Sequence, residues 1–160
     1  MSPSIAPFRL DLSHDYPVPA PRAFSAWARP EALLRWARPH PDWRMEILAF
    51  VFAVGGEQVT AFGPTGEPGF VNSMRYHDIV PGRRIVMAGD LSAESSRVLV
   101  STLSVMFRPR RDGCRIEVIE QGVFLDGQDH PDPRRAGWLG LLERLALELR
   151  EAPANGEALS

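Results

Sequence analysis

Four apolar residues, Trp138, Leu142, Leu145 and Leu149, recur at helical spacing on one face of a segment running from about Pro133 to Arg150. A stripe of that kind has to be covered by another part of the chain. At about 1.5–3 kcal/mol for each large apolar side chain fully buried, it is expected to be a main source of stability. Asp132 can accept backbone N–H bonds at an N-cap, and Pro133 suits the first helical position. Gly137 and Gly140 interrupt the segment. Each costs a helix interior about 1 kcal/mol relative to Ala, which implies close backbone packing or room left open beside the helix.

What covers the stripe is legible upstream. Residues 8 to 16 alternate, with Phe8, Leu10, Leu12 and Tyr16 on one side and Arg9, Asp11, Ser13 and Asp15 on the other, as in a half-buried strand. His14 falls on the apolar side, where a core histidine with a satisfied hydrogen bond is expected. After the break Pro17 to Pro21, a short helix turns Phe24, Trp27 and Ala28 inward. A residue before proline avoids the α region, so Arg29-Pro30 separates it from a second helix, Glu31 to about Ala37, with Leu33, Leu34 and Trp36 on its apolar face. Trp27 and Trp36 are read as core wedges.

Beyond Arg38-Pro39-His40-Pro41-Asp42 the pattern turns β up to residue 125, with strands near 44–53, 57–63, 69–80, 83–90, 97–108 and 114–124. Turn signals such as Gly55-Gly56, Gly66 and Pro81-Gly82 separate them. Counting the first, seven strands form one curved antiparallel sheet. Leu99, Leu103, Val105 and Phe107 lie on one face of the sixth strand, opposite Val100, Thr102, Ser104 and Met106. Apolar residues on both sides suggest a covered outer face, which a homodimer contact would supply.

With 160 residues, 44% hydrophobic and 24% charged, the chain has the make-up of one globular domain, placed at 8–151 with flexible termini at 1–7 and 152–160. A net charge of −2 and no run of basic residues argue against a nucleic-acid surface. All 18 basic residues are arginine, which we attribute to genome composition. Cys114 is the only cysteine, so no intramolecular disulfide can form, and a reducing cytoplasm fits. No export signal and no membrane span are read in the sequence.

The order of elements, strand, helix pair, meander and long helix, is that of the helix-grip fold of START-like and birch-pollen-allergen-like proteins. Residues Pro21 to Trp36 resemble the opening of the family named after the activator of the heat-shock protein 90 ATPase, within the SRPBCC superfamily. Arg75 to Val86 resemble its central hairpin, and Glu120 to Gly127 followed by Arg135-Ala136-Gly137-Trp138 resemble its last strand and helix entry. This likeness implies an α+β domain with a hydrophobic cavity between sheet and long helix. Where the family often runs from a Gly-Gly pair into an aromatic strand residue, this chain has Gly55-Gly56 and then Glu57-Gln58-Val59.

Within that frame, Glu120 is the most informative polar residue. If Ile116 and Val118 enter the cavity, the period of two sends Glu120 there as well, where desolvation favours the neutral acid unless a partner compensates. Such a carboxyl orients a ligand or moves protons. Alternatively it pairs with an arginine, such as Arg75 or Arg97, and closes the pocket mouth. By parity Asp78 shares a face with Asn72, Met74 and Tyr76, while Arg75 and His77 belong to a solvated outer face. Asn72, Tyr76, Glu120, Phe124, Gly137, Trp138 and Leu141 then form the expected lining for a small amphipathic ligand. The four histidines, His14, His40, His77 and His130, lack metal-ligand spacing, and no phosphate loop or nucleophile elbow is present, so neither metal nor cofactor is expected.

Three functions are compatible with this reading. The favoured one is a binding module for a small hydrophobic or amphipathic ligand. A polyketide cyclase or aromatase-like enzyme, as known in the superfamily, would use Glu120 and Tyr76 as acid and base. A chaperone-activator-like interaction protein would work through the outer face of the sheet.

Overall fold

The turn signals read from the sequence fall between strands that pair antiparallel with their chain neighbours, and the first strand closes the array by pairing with the last. The computed structural model describes residues 2–151. In chain order the elements are β1 (Ile5–Tyr16), α1 (Ala20–Ala28), α2 (Pro30–Trp36), β2 (Arg44–Phe50), β3 (Glu57–Gly63), β4 (Phe70–Val80), β5 (Arg84–Ala93), β6 (Ser96–Arg110), β7 (Gly113–Leu125) and α3 (Pro131–Glu151). The seven-stranded sheet runs β1-β7-β6-β5-β4-β3-β2, so β1 and β2 are its edges. This is the helix-grip fold, α+β, with a short helix pair after the first strand and a long C-terminal helix.

Alternation decides which side of the sheet is buried. Leu10 and Leu12 of β1, Leu99, Leu103, Val105 and Phe107 of β6, and Ile116, Val118 and Phe124 of β7 are all withdrawn from water. Trp138, Leu142, Leu145 and Leu149 of α3 complete this core. The Tyr16 hydroxyl donates to the Leu142 carbonyl at 2.8 Å, tying the end of β1 to the middle of α3. Burial pushes the Tyr16 phenol far up, so it stays a neutral donor.

Several boundaries differ from the sequence reading. Helix α3 begins at Pro131, so Asp132 sits in its first turn instead of capping it, where a carboxylate still suits the positive end of the helix dipole. Strand β1 takes in residues 5–7, expected to be flexible, because Ser4 N–H donates to Asp126 Oδ1 and Asp126 N–H donates to the Ser4 carbonyl. The expected tail at 152–160 lies outside the described residues. Between Tyr76 and Asp78 the β4–β5 register shifts, and this bulge moves Ile79 toward the core and Asp78 outward to an exposed pair with Arg84 at 2.6 Å. Parity alone had put Asp78 on the inner face; an extra residue in one strand inverts it. The outer face of β6 is open to water at Val100, with no described helix over it. No described helix is long and apolar enough to cross a membrane.

Candidate functional site

A pocket of about 490 Å³ lies between the inner sheet face, α3 and the α1–α2 pair. All four tryptophans of the chain, Trp27, Trp36, Trp43 and Trp138, are on its wall. Trp27 and Trp36, expected as core wedges, are both buried and pocket-lining, with ring centroids 4.8 Å apart. Trp138 lies near-parallel to Trp27 at 6.5 Å. Such apolar, ring-rich walls favour planar or aliphatic matter over water.

One side of the pocket is built from three rungs of the β3–β4 ladder. Gln58 faces Met74, Thr60 faces Asn72, and Phe62 faces Phe70, and all six residues line the hollow. The rings of Phe62 and Phe70 are 5.7 Å apart, and Trp43 stacks on both, at 6.5 and 6.2 Å. On the opposite side, Ser101, Glu120 and Arg134 form the polar end. Gly137 is exposed and yet lines the pocket, which places it at the mouth, and a Cβ there would meet nothing within 4 Å.

Glu120 is 2% exposed and carries a full set of partners. Its Oε1 accepts from Arg134 Nε at 2.9 Å and from Trp138 Nε1 at 3.0 Å. Its Oε2 accepts from Arg134 Nη2 at 2.8 Å and from Ser101 Oγ at 2.8 Å. Burial alone would push this carboxyl up, but the Arg134 guanidinium, Ser101 and Trp138 together outweigh it and hold it below its ordinary value. The residue is therefore an ionised acceptor with no lone-pair direction left over, a poor proton donor and a poor base.

The sequence reading allowed for an arginine partner, such as Arg75 or Arg97, and the partner is an arginine, Arg134. Arg75 pairs instead with the exposed Glu57 at 2.7 Å and Arg97 lies 3.4 Å from the half-buried Asp90, while Arg134 reaches Glu120 from the first turns of α3. His77 is exposed, on the same side as Arg75.

Of the residues named from the sequence, the structure brings Asn72, Glu120, Gly137, Trp138 and Leu141 onto the pocket wall. It sets Phe124 and Tyr76 behind the wall. Phe124 stacks on Phe8 at 4.0 Å, and Tyr76 packs on Phe52 at 5.0 Å while its hydroxyl donates to Gln58 Oε1 at 2.6 Å. Burial raises the Tyr76 phenol far above its usual range. Tyr76 on β4 and Glu120 on β7 are separated by two intervening strands, so they do not meet as an acid and base pair. Arg134, Ser101, Thr60, Gln58 and Trp43 were not anticipated. Arg134 was discoverable one helical turn before Trp138, and Thr60 by centring the hairpin on Gly66, which pairs it with Asn72.

Residues 17–150 match the family described as Activator of Hsp90 ATPase homolog 1-like protein. The chain belongs to that family. As a member of the activator of Hsp90 ATPase homolog 1-like family it is also similar to solved structures. A putative uncharacterized protein from Rhizobium leguminosarum is 28% identical with a TM-score of 0.85, covering 94% of this chain and 99% of that one. The Mll3558 protein from Rhizobium loti is 34% identical with a TM-score of 0.78, covering 92% and 99%. An AHSA1-like protein from Aeromonas hydrophila, 17% identical with a TM-score of 0.72 and coverage of 92% and 95%, shares the fold. No curated protein matches the chain. Within the family frame the helix-grip architecture is common ground.

Proposed function

We propose that this protein is a non-catalytic binding module that encloses one small hydrophobic or amphipathic molecule between its sheet and α3. The observation that carries this reading is the combination of a pocket of about 490 Å³, walled by tryptophan, with a buried carboxylate whose four hydrogen bonds all go to the protein. The volume suits a single drug-sized molecule. A cyclase-like reaction would need a group free to take or give a proton, and Glu120 and Tyr76 are each committed, one as a saturated anion and the other as a buried neutral donor. A single cysteine, Cys114, buried and without a disulfide partner in the chain, fits action in a reducing cytoplasm.

Native mass spectrometry of the protein purified from its own host, followed by organic extraction, tests this. The expected result is a stoichiometric small molecule on the wild-type protein that is lost in Gly137→Phe, whose ring fills the mouth. Bare protein in the wild type, or a bound species indifferent to that substitution, would overturn the pocket reading.

A further inference from the structure

The Glu120 network leaves two polar features of the pocket unexplained: the Nε1 of Trp27, a buried donor without a described partner, and the Thr60–Asn72 rung, the only one of the two with several groups together. Thr60 and Asn72 are direct cross-strand partners, and both face the hollow. Thr60 is 3% exposed, yet among the described residues neither its hydroxyl nor the Asn72 amide makes a hydrogen bond, to each other or to anything else. Gln58, one rung along, uses Oε1 to accept from Tyr76, which leaves its amide N–H groups without a described partner. None of these polar atoms is sealed off from the hollow, so each is free to bond whatever fills it, water or a guest. Here the unpaired groups are grouped on one side of a pocket and bracketed by Phe62, Phe70 and Met74, which gives them a common outlook on whatever occupies it.

The charges on the wall restrict the occupant further. Glu120 and Arg134 neutralise one another across 2.8 Å, and Asp129 at the rim is the remaining charged residue of the lining. A carboxylate-bearing guest would thus enter a low-dielectric space whose net charge is already negative. We infer that the Thr60–Asn72 rung is a ligand-orienting subsite, and that the molecule held is an uncharged, ring-containing compound bearing a carbonyl or hydroxyl group. Its polar group lies against Thr60 and Asn72, where hydroxyl and amide together offer both donors and acceptors, and its apolar body lies beneath the tryptophans. This assignment rests on the binding reading above and sharpens it from a hydrophobic guest to a neutral polar-tipped one.

Three probes of one ring system separate the possibilities: 2-acetonaphthone, 2-ethylnaphthalene and 2-naphthoate, titrated into the full chain by tryptophan fluorescence at neutral pH. The expected order is 2-acetonaphthone tightest, by about tenfold over 2-ethylnaphthalene, with 2-naphthoate weakest. Thr60→Val, which keeps the side-chain shape, and Asn72→Leu each reduce 2-acetonaphthone binding about fivefold or more and leave 2-ethylnaphthalene unchanged. Circular dichroism on both variants reports whether the fold is kept, and the wild-type order stands as evidence on its own. Equal binding of ketone and hydrocarbon by the wild type, or an equal loss of both in a folded variant, overturns the subsite while leaving the pocket intact. Preference for 2-naphthoate overturns it in favour of an anion site at Arg134. Binding of none of the three overturns the subsite and the binding reading together.

Discussion

Arg134 and Glu120 join the first turns of α3 to the centre of β7 through two parallel hydrogen bonds, Nε to Oε1 at 2.9 Å and Nη2 to Oε2 at 2.8 Å. The side chains are 23% and 2% exposed, so the pair is largely dry. Its cross-strand neighbours are Leu10 and Leu103, both buried, which leaves the carboxylate without water and dependent on α3 and Ser101 for compensation. The same contact that satisfies the charge also holds the helix entry over the pocket.

Removing the cation should be more harmful than removing both charges. Arg134→Met leaves an uncompensated buried carboxylate and is expected to cost about 3 kcal/mol at pH 7, at the lower end for a buried pair because Arg134 keeps some contact with water. Arg134→Met combined with Glu120→Gln should recover part of that loss. Urea unfolding measures both, and a loss under about 1 kcal/mol in the single variant would mean that the pair is not buried in solution.

Acid should expose the same pair. The folded pKa of Glu120 lies below its unfolded value, so its stabilisation is complete above the ordinary value of 4.5 and is lost as pH falls through the lowered folded value. Wild-type stability is expected to fall as pH drops below the ordinary carboxyl value of 4.5, and Glu120→Gln, less stable at neutral pH, should fall less steeply there. The exposed carboxylates Asp11 and Asp15, also lowered by arginine partners, act alike in both proteins and cancel in the comparison. Parallel acid limbs would contradict the assignment.

The covered stripe sets the scale of helix docking. Leu142 and Leu145 are fully buried against the sheet. Leu142→Ala or Leu145→Ala is expected to cost about 2–5 kcal/mol by urea unfolding, whereas Leu147→Ala, on the exposed side of α3, should change stability by less than about 0.5 kcal/mol.

Two glycines should respond in opposite directions. A Cβ on Gly137 meets open space, so Gly137→Ala is expected to stabilise α3 by up to about 1 kcal/mol. A Cβ on Gly89 would run into the Ser73 carbonyl on the neighbouring strand, so Gly89→Ala is expected to destabilise by about 1–3 kcal/mol. Thermal unfolding distinguishes the two, and a shared sign would refute the packing described at one of them.

The fold was legible because its signals are local and periodic: alternation in 8–16, proline at 30, and a helical stripe ending at Leu149 each name an element and its buried face. The site was legible only as far as parity reached. Parity carried Glu120 and Asn72 to the correct face, but it failed at Asp78, where a bulge adds a residue that no turn signal marks. Arg134 was missed because its contact with Glu120 depends on how α3 lies across β7, a tertiary fact that neither segment encodes by itself. Phe124 and Tyr76 have the right parity and are buried, yet they pack on Phe8 and on Phe52, residues that are themselves off the pocket wall.

Enclosure of a small molecule beneath α3 is tested most directly by titrating 2-acetonaphthone into the wild type and Gly137→Phe while following tryptophan fluorescence, since all four tryptophans line the pocket. The account predicts saturable quenching with one molecule per chain in the wild type, and loss of that quenching in Gly137→Phe with thermal stability unchanged. Quenching that is absent in the wild type, or identical in both proteins, would contradict it.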